Sequence, residues 1–133
     1  MIKAGIVGGT GYTAGELIRL LLNHPETKID FVYSTSRAGD AVTAVHSDLL
    51  GETELEFSSE INQDIDVLFL CTGHGNSADI LTMHTVAPST KIIDLSRDFR
   101  LSAESNFDHR NFTYGLPELQ KDDITDAHNV ANP

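Results

Sequence analysis

The sequence predicts an α/β fold, a doubly wound and mostly parallel sheet forming a single domain, and three observations predict it. A short apolar run, Ile2 to Val7, is broken by Gly8-Gly9 and followed by leucines at helical spacing. A near-continuous apolar run, Asp66 to Cys71, has the character of a strand buried in a parallel sheet covered on both faces. Strand-like and helix-like patterns alternate, and right-handed crossovers leave few topologies for such an alternation.

The elements follow in order. Ile2 to Val7 is the first strand, and Gly15 to Asn23, carrying Leu17, Leu20 and Leu21, the first helix. His24-Pro25 ends that helix, because the residue before a proline is driven out of the α region and proline cannot extend the hydrogen-bond ladder. Lys28 to Ser34, with Ile29, Phe31, Val32 and Tyr33, reads as the second strand. Arg37 to Gly51 has weak periodicity and two glycines, so it reads as loop with room for a short helix. Leu55 to Phe57 is expected as an edge strand, and Asp66 to Cys71 as the buried one. Ser77 to Val86 is expected as a helix stopped by Pro88, and Lys91 to Leu95 as another strand. Ser96 to Pro133 reads as mostly irregular, which gives the order β-α-β-loop-β-β-α-β.

The length of 133 residues suits one domain with a real core, since ~150 residues suffice to bury ~70% of the unfolded surface. Nine Lys plus Arg against 20 Asp plus Glu give a net charge of −11, which argues against a general nucleic-acid or anionic-membrane surface. The single cysteine, Cys71, excludes an intramolecular disulfide framework and a cysteine-based zinc site; no metal is expected, and a reducing cytoplasmic setting fits best. No signal-peptide pattern and no apolar run approaching ~20 residues is present, so the expectation is a soluble, unprocessed chain.

Gly8-Gly-Thr-Gly-Tyr-Thr-Ala-Gly15 satisfies G-x-G-x-x-A at Gly9, Gly11 and Ala14, and G-x-x-G-x-x-A at Gly8, Gly11 and Ala14. Glycine lets the backbone turn tightly and approach a pyrophosphate, a small third residue lets helix and strand pack, and the helix N-terminus offers free N–H groups. Placed between first strand and first helix, the motif points to a dinucleotide in a Rossmann-type fold, with a purely structural turn as the alternative. Gly8, Gly9, Thr10, Gly11, Tyr12, Thr13 and Ala14 are the candidate cradle; no lysine is present to make it a nucleoside-triphosphate loop.

The end of the second strand, Tyr33-Ser-Thr-Ser-Arg37, bears on which dinucleotide. An acidic residue there accepts from a ribose 2′-hydroxyl, whereas an arginine pairs with a 2′-phosphate. Asp30 lies ~13 Å before the strand end at strand rise, too far back for the ribose. Ser36 and Arg37 therefore favour NADP over NAD, the alternative for Arg37 being a solvated surface residue. Cys71-Thr-Gly-His-Gly75 occupies the carboxyl end of the buried strand, where ligands bind in open α/β sheets. Gly73 and Gly75 permit close approach, and His74 either contacts a ligand or bonds the loop backbone. Cys71, ending an apolar strand, reads as a small buried hydrophobe rather than a nucleophile.

Gly8 to Leu17, Ser36-Arg37, His74-Gly75, Ile93-Asp-Leu-Ser-Arg-Asp-Phe-Arg100, Tyr114-Gly-Leu-Pro-Glu-Leu119 and Ala131-Asn-Pro133 together resemble the N-terminal part of the N-acetyl-gamma-glutamyl-phosphate reductase family. DLSRDFR followed by YGLPEL separates it from the related aspartate-semialdehyde dehydrogenases. The resemblance implies an NADPH-dependent step of arginine biosynthesis that reduces an acyl phosphate to N-acetyl-glutamate 5-semialdehyde and releases phosphate. It implies a homo-oligomeric parent whose nucleophilic cysteine follows an Asn-Pro-Gly segment, hence just after Pro133. Residues 1–133 are accordingly expected to be an NADP-binding domain, inactive alone, with no catalytic residue of their own and the substrate domain elsewhere. The chemistry explains why: without the thiolate no thioester forms to accept hydride. Arg97 or Arg100 receives the acyl phosphate or fixes its loop, Asp94 and Asp98 pairing with them in the second case. Tyr114 to Glu118 resembles the segment before the nucleophile loop and is placed to close over the nicotinamide. Two other readings remain: a non-catalytic, redox-sensing NADP module, and an aspartate-semialdehyde dehydrogenase-like reductase.

Overall fold

The computed structural model describes residues 1–133. The chain runs β1 (Ile2–Val7), α1 (Tyr12–Leu22), β2 (Thr27–Tyr33), two 3-10 turns (Val42–Ala44 and Ser47–Leu49), β3 (Phe57–Ser58), β4 (Val67–Leu70), α2 (Ser77–Met83) and β5 (Lys91–Asp94). A third 3-10 turn (Ser102–Glu104), β6 (Asn106–Phe107), β7 (Arg110–Tyr114), α3 (Pro117–Asp126) and β8 (Asn129–Ala131) complete it. All eight strands join one sheet in the order β3-β2-β1-β4-β5-β8-β7-β6, parallel except for the β6–β7 hairpin. The doubly wound, mostly parallel sheet expected from the sequence is present.

Two apolar layers hold it. On one face Ala4, Ile6, Val32 and Phe57 pack with Ala14, Ile18 and Leu21 of α1. On the other, Val7, Phe31, Leu68, Leu70, Ile92 and Phe112 meet Ala78, Ile80 and Leu81 of α2. Strand periodicity alone does not explain β2, because Ile29 belongs to the first layer whereas Phe31 and Tyr33 belong to the second. The pairing register shows why: Ala4 pairs with Ile29 but Gly5 with Phe31, so Asp30 is an extra residue, a bulge. The bulge switches the parity of β2 and lays the Phe31 ring over Gly5, where a Cβ would collide with it.

Several boundaries differ from the expectation. α1 begins at Tyr12 with Gly11 as its N-cap, and its apolar face is Ala14, Gly15, Ile18 and Leu21; Leu20 is 58% exposed, on the far side. The edge strand is Phe57–Ser58 rather than Leu55 to Phe57, Leu55 instead accepting the Val42 N–H in the preceding loop. α2 stops at Met83, well before Pro88, because the following segment is held elsewhere. His84 Nε2 meets the Tyr33 hydroxyl at 3.2 Å, Gln63 donates to the Thr85 carbonyl, and Arg110 takes the Val86 and Ala87 carbonyls. The sheet is not fully covered on both faces either: Val67, Phe69 and Ile93 are only half-buried, and with Met1, Ile2 and Leu21 they line an open groove.

The largest correction concerns Ser96 to Pro133, which is not irregular but adds three strands and a helix. These elements carry almost no apolar periodicity. Phe112 is the one buried residue of β7, and α3 buries none. β8 forms because it pairs with β5 on one side and β7 on the other. Arg110 then clamps the far edge, donating to the carbonyls of Thr90, Val86 and Ala87 and to Asn129 Oδ1. Phe99 and Phe112 stack 4.2 Å apart beneath it in the second layer. No helix of the chain is long and apolar enough to cross a membrane.

The bulge gives a stability test. Gly5→Ala overpacks the Phe31 ring and should cost about 1–3 kcal/mol in urea unfolding, and Phe31→Leu in the same chain should recover part of it.

Candidate functional site

Register brings the candidate loops together. Val7 pairs with Tyr33 on one side and Leu70 on the other, Leu70 with Asp94, and Asp94 with Ala131. The carboxyl ends of β2, β1, β4, β5 and β8 therefore stop in one row. The chain leaves β1 toward β2 on one side and later returns to place β4 on the other, so the gap between the β1 and β4 loops is a topological switch point. A cleft of about 370 Å³ opens there between Gly8, Tyr33, Ser34, Gly73, Asn76 and Met83. A larger polar hollow, about 800 Å³, lies at the opposite edge around Arg110 and Asp123, away from every glycine loop.

The glycines of the turn have separate tasks. Gly8 has φ +81°, and a Cβ there would stand 2.6 Å from the Cys71 carbonyl oxygen, so the β1 and β4 loops meet only with glycine at this position. Gly9 is buried against Val32 and the Phe57 ring, whereas Gly11 faces open space. Thr10, Tyr12 and Thr13 are exposed, and Ala14 is fully buried against the sheet. The N–H groups of Thr10, Tyr12, Thr13 and Ala14 donate to no protein acceptor. Together with the α1 dipole they form a donor set suited to a pyrophosphate.

Beyond β2, Ser36 and Arg37 are exposed at the same edge. Arg37 Nε lies 3.2 Å from the Asp40 carboxylate, which leaves the two Nη groups free. Asp30 is turned away from this edge: it is the bulge residue, and its carboxylate accepts from Asn62 Nδ2 at 2.7 Å.

The β4 and β5 loops are tied by carboxylates. Asp98 accepts the N–H groups of Gly75 at 2.6 Å and of Ser77 at 3.0 Å, so the N-terminus of α2 is already occupied by an anion of the chain itself. Asp94, fully buried, accepts from the hydroxyls of Ser77 at 2.6 Å and Ser96 at 2.7 Å, and Thr72 Oγ1 lies 2.7 Å from Ser77 Oγ. The pairing of Asp94 and Asp98 with Arg97 and Arg100, one of the two expectations, does not occur; backbone N–H groups and serines satisfy these carboxylates at lower desolvation cost than buried ion pairs. His74 bonds backbone, its Nδ1 accepting the Arg97 N–H at 3.2 Å, which leaves Nε2 as the proton-bearing nitrogen of the neutral ring. The Arg97 guanidinium is exposed and has no protein acceptor. Arg100 instead donates to the carbonyls of Asn132 at 2.9 Å and Leu95 at 3.4 Å, tying its loop to the end of β8. Gly73 and Gly75 are exposed, Gly75 at φ +88°.

A family model described as semialdehyde dehydrogenase, NAD binding domain, matches residues 3–127. The chain belongs to this family. Among curated relatives, N-acetyl-gamma-glutamyl-phosphate reductase of Christiangramia forsetii is 55% identical over 133 residues, all of this chain and 40% of that protein. The enzymes so named in Bacteroides thetaiotaomicron and Karelsulcia muelleri are 55% and 49% identical over the whole chain and 40% and 41% of their own lengths. The chain thus spans about 40% of the length of the relatives it matches. Among solved structures, aspartate semialdehyde dehydrogenase with NADP from Candida albicans superposes with a TM-score of 0.72 at 18% identity, over 99% of this chain and 42% of that one, a likeness of fold.

Within this semialdehyde dehydrogenase domain the sequence motifs left some working residues unmarked. Ser77, Asp98 as a helix cap, and His46, buried beneath the glycine turn, were not singled out. A carboxylate four residues after another, as Asp98 follows Asp94, carries no sequence signal of which N–H groups it meets. Burial, assisted by the Asp94 charge, pushes the Cys71 thiol up to about 12. Cys71 is thus a partly buried strand-end residue whose environment disfavours the thiolate, the form a nucleophile needs.

Two measurements test this edge. Cys71 in the native chain should react with iodoacetamide at neutral pH on the order of 100-fold more slowly than in the urea-unfolded chain. Burial also raises the Asp94 carboxyl above its ordinary 3.8, the serine bonds offsetting only part of that rise. Between 3.8 and the raised value the native state holds a proton that the unfolded state has released. This group's contribution is therefore fully present below 3.8 and is lost as pH rises through the native value. The stability difference, wild type minus Asp94→Asn, should fall with rising pH over that interval in urea titrations.

Proposed function

We propose that residues 1–133 form the NADPH-binding domain of a reductase that converts N-acetyl-gamma-glutamyl phosphate to N-acetyl-glutamate 5-semialdehyde and phosphate, a cytoplasmic step of arginine biosynthesis. The observation that carries the reading is 49–55% identity, along the whole chain, to relatives that bear that name. The likeness to an aspartate semialdehyde dehydrogenase, at 18% identity, supports the fold and not that substrate.

The residues fit the cofactor. The free N–H groups of Thr10, Tyr12, Thr13 and Ala14 would bind the pyrophosphate, and Gly11, open on its outer side, would let it approach. Ser36 and the free Nη groups of Arg37 would hold the 2′-phosphate, with Asp40 steadying the guanidinium from its Nε side. Thr72 and Gly73 line the far wall of the switch-point crevice, and His74 follows them, exposed, in the same loop. When bound, NADPH supplies the hydride for the reduction. Arg97, whose guanidinium has no protein acceptor, would attract the acyl phosphate, and His74 Nε2–H stands on the same loop junction as a hydrogen-bond donor. Arg100 positions: it fixes the Leu95 to Asn132 corner on which a substrate would rest. The chain itself carries no activated thiol, so the nucleophile and the substrate-enclosing surface belong to a further domain of the complete enzyme.

Parallel calorimetric titrations with NADPH and NADH test the cofactor assignment, tighter NADPH binding being expected and equal binding contradicting it. Arg37→Ala should weaken NADPH by about 10- to 100-fold, the scale of a lost charge-assisted contact, and leave NADH nearly unchanged. Equal losses for both dinucleotides would overturn the 2′-phosphate role.

A further inference from the structure

We infer that His46 is a positioning residue for the dinucleotide cradle, aiming the Thr10 N–H outward by fixing the Gly9 carbonyl inward; this rests on the cofactor reading above. His46 is 7% exposed and sits just after the first 3-10 turn, its own N–H donating to the Val42 carbonyl at 3.0 Å. Its Nε2 lies 2.6 Å from the Gly9 carbonyl oxygen. A carbonyl only accepts, so the proton of that bond is on Nε2. Gly9 is thereby held from two sides, since its N–H also donates to the Tyr33 carbonyl at 3.2 Å.

Peptide planarity carries the consequence. All peptide bonds are trans, so the Gly9 carbonyl and the Thr10 N–H, which share one plane, point in opposite directions. Drawing the carbonyl down onto a buried imidazole sends the Thr10 N–H to the exposed side, where it has no protein acceptor. Without that anchor the 9–10 peptide is free to rotate, and the buried carbonyl loses its partner.

The fit of the ring explains a residue the glycine motif leaves over. A Cβ on Gly15 would stand 2.6 Å from His46 Nδ1 and 2.9 Å from Cε1, so Gly15 is small because the imidazole lies against the first turn of α1. The ring's outer flank meets Phe57 at a centroid distance of 6.5 Å. One side chain therefore touches the glycine turn, α1 and the edge strand, and its single polar bond goes to the turn.

The test separates the hydrogen bond from packing. His46→Phe keeps an aromatic ring and deletes the donor, whereas His46→Gln carries an N–H donor the same number of bonds from Cβ as Nε2. His46→Phe should weaken NADPH and NADH by a common factor on the order of ten, leaving their ratio intact because Arg37 is untouched, and His46→Gln should restore most of the loss. Unchanged binding in His46→Phe, or a glutamine variant as poor as the phenylalanine one, overturns the inference. A readout on the unsubstituted chain needs no variant: a scalar coupling across the hydrogen bond between His46 Nε2–H and the Gly9 carbonyl carbon in NMR spectra is expected, and its absence overturns the inference. If the unsubstituted chain shows that coupling but binds neither dinucleotide, the cofactor reading fails and this role fails with it. If it binds both and only the variants behave alike, the positioning role alone fails.

Discussion

Val7 stands between Tyr33 and Leu70 in a hydrogen-bonded row that continues through Asp94 to Ala131. Every loop of the ligand edge departs from that row. Strands in a parallel sheet lie ~4.8 Å apart, so stopping five of them at one level brings the loop after Val7 and the one after Ala131, far apart along the chain, to the same edge. The bulge at Asp30 belongs to this constraint, because it lets β2 arrive at Tyr33 with the correct face toward each layer.

The edge contains two clusters of backbone donors, and the chain treats them differently. At α2 the Asp98 carboxylate takes the N–H groups of Gly75 and Ser77, which converts a potential anion site into a brace between the β4 and β5 loops. At α1 no side chain caps the helix, and four N–H groups stay free. The choice matters for a domain of net charge −11. Its overall field opposes a polyanionic ligand, but that field is screened beyond ~8 Å at physiological salt, and local donors decide at contact.

Buried polarity at this edge is handled with neutral partners. Asp94 is surrounded by serine hydroxyls and one backbone N–H, and the arginines of its loop bind carbonyls or face solvent. A buried ion pair would carry the desolvation of two charges, whereas these hydroxyls are satisfied by the same carboxylate that they satisfy. The loops are consequently fixed while Arg97 stays unengaged.

The sequence by itself determined the first five parallel strands and the glycine turn, because a parallel core imposes apolar runs and the turn imposes glycines at short range. It also set Ser36-Arg37 and His74 at strand ends, where counting along the chain suffices. The strands after Ser96 were decided by tertiary structure, since a three-residue β8 or a five-residue β7 with one buried side chain exists only through its neighbours. The bulge, the Asp98 cap and the imidazole of His46 under Gly9 were decided in the same way. Each joins groups distant in the chain through a single directed contact, and a contact of that kind leaves no period in the sequence.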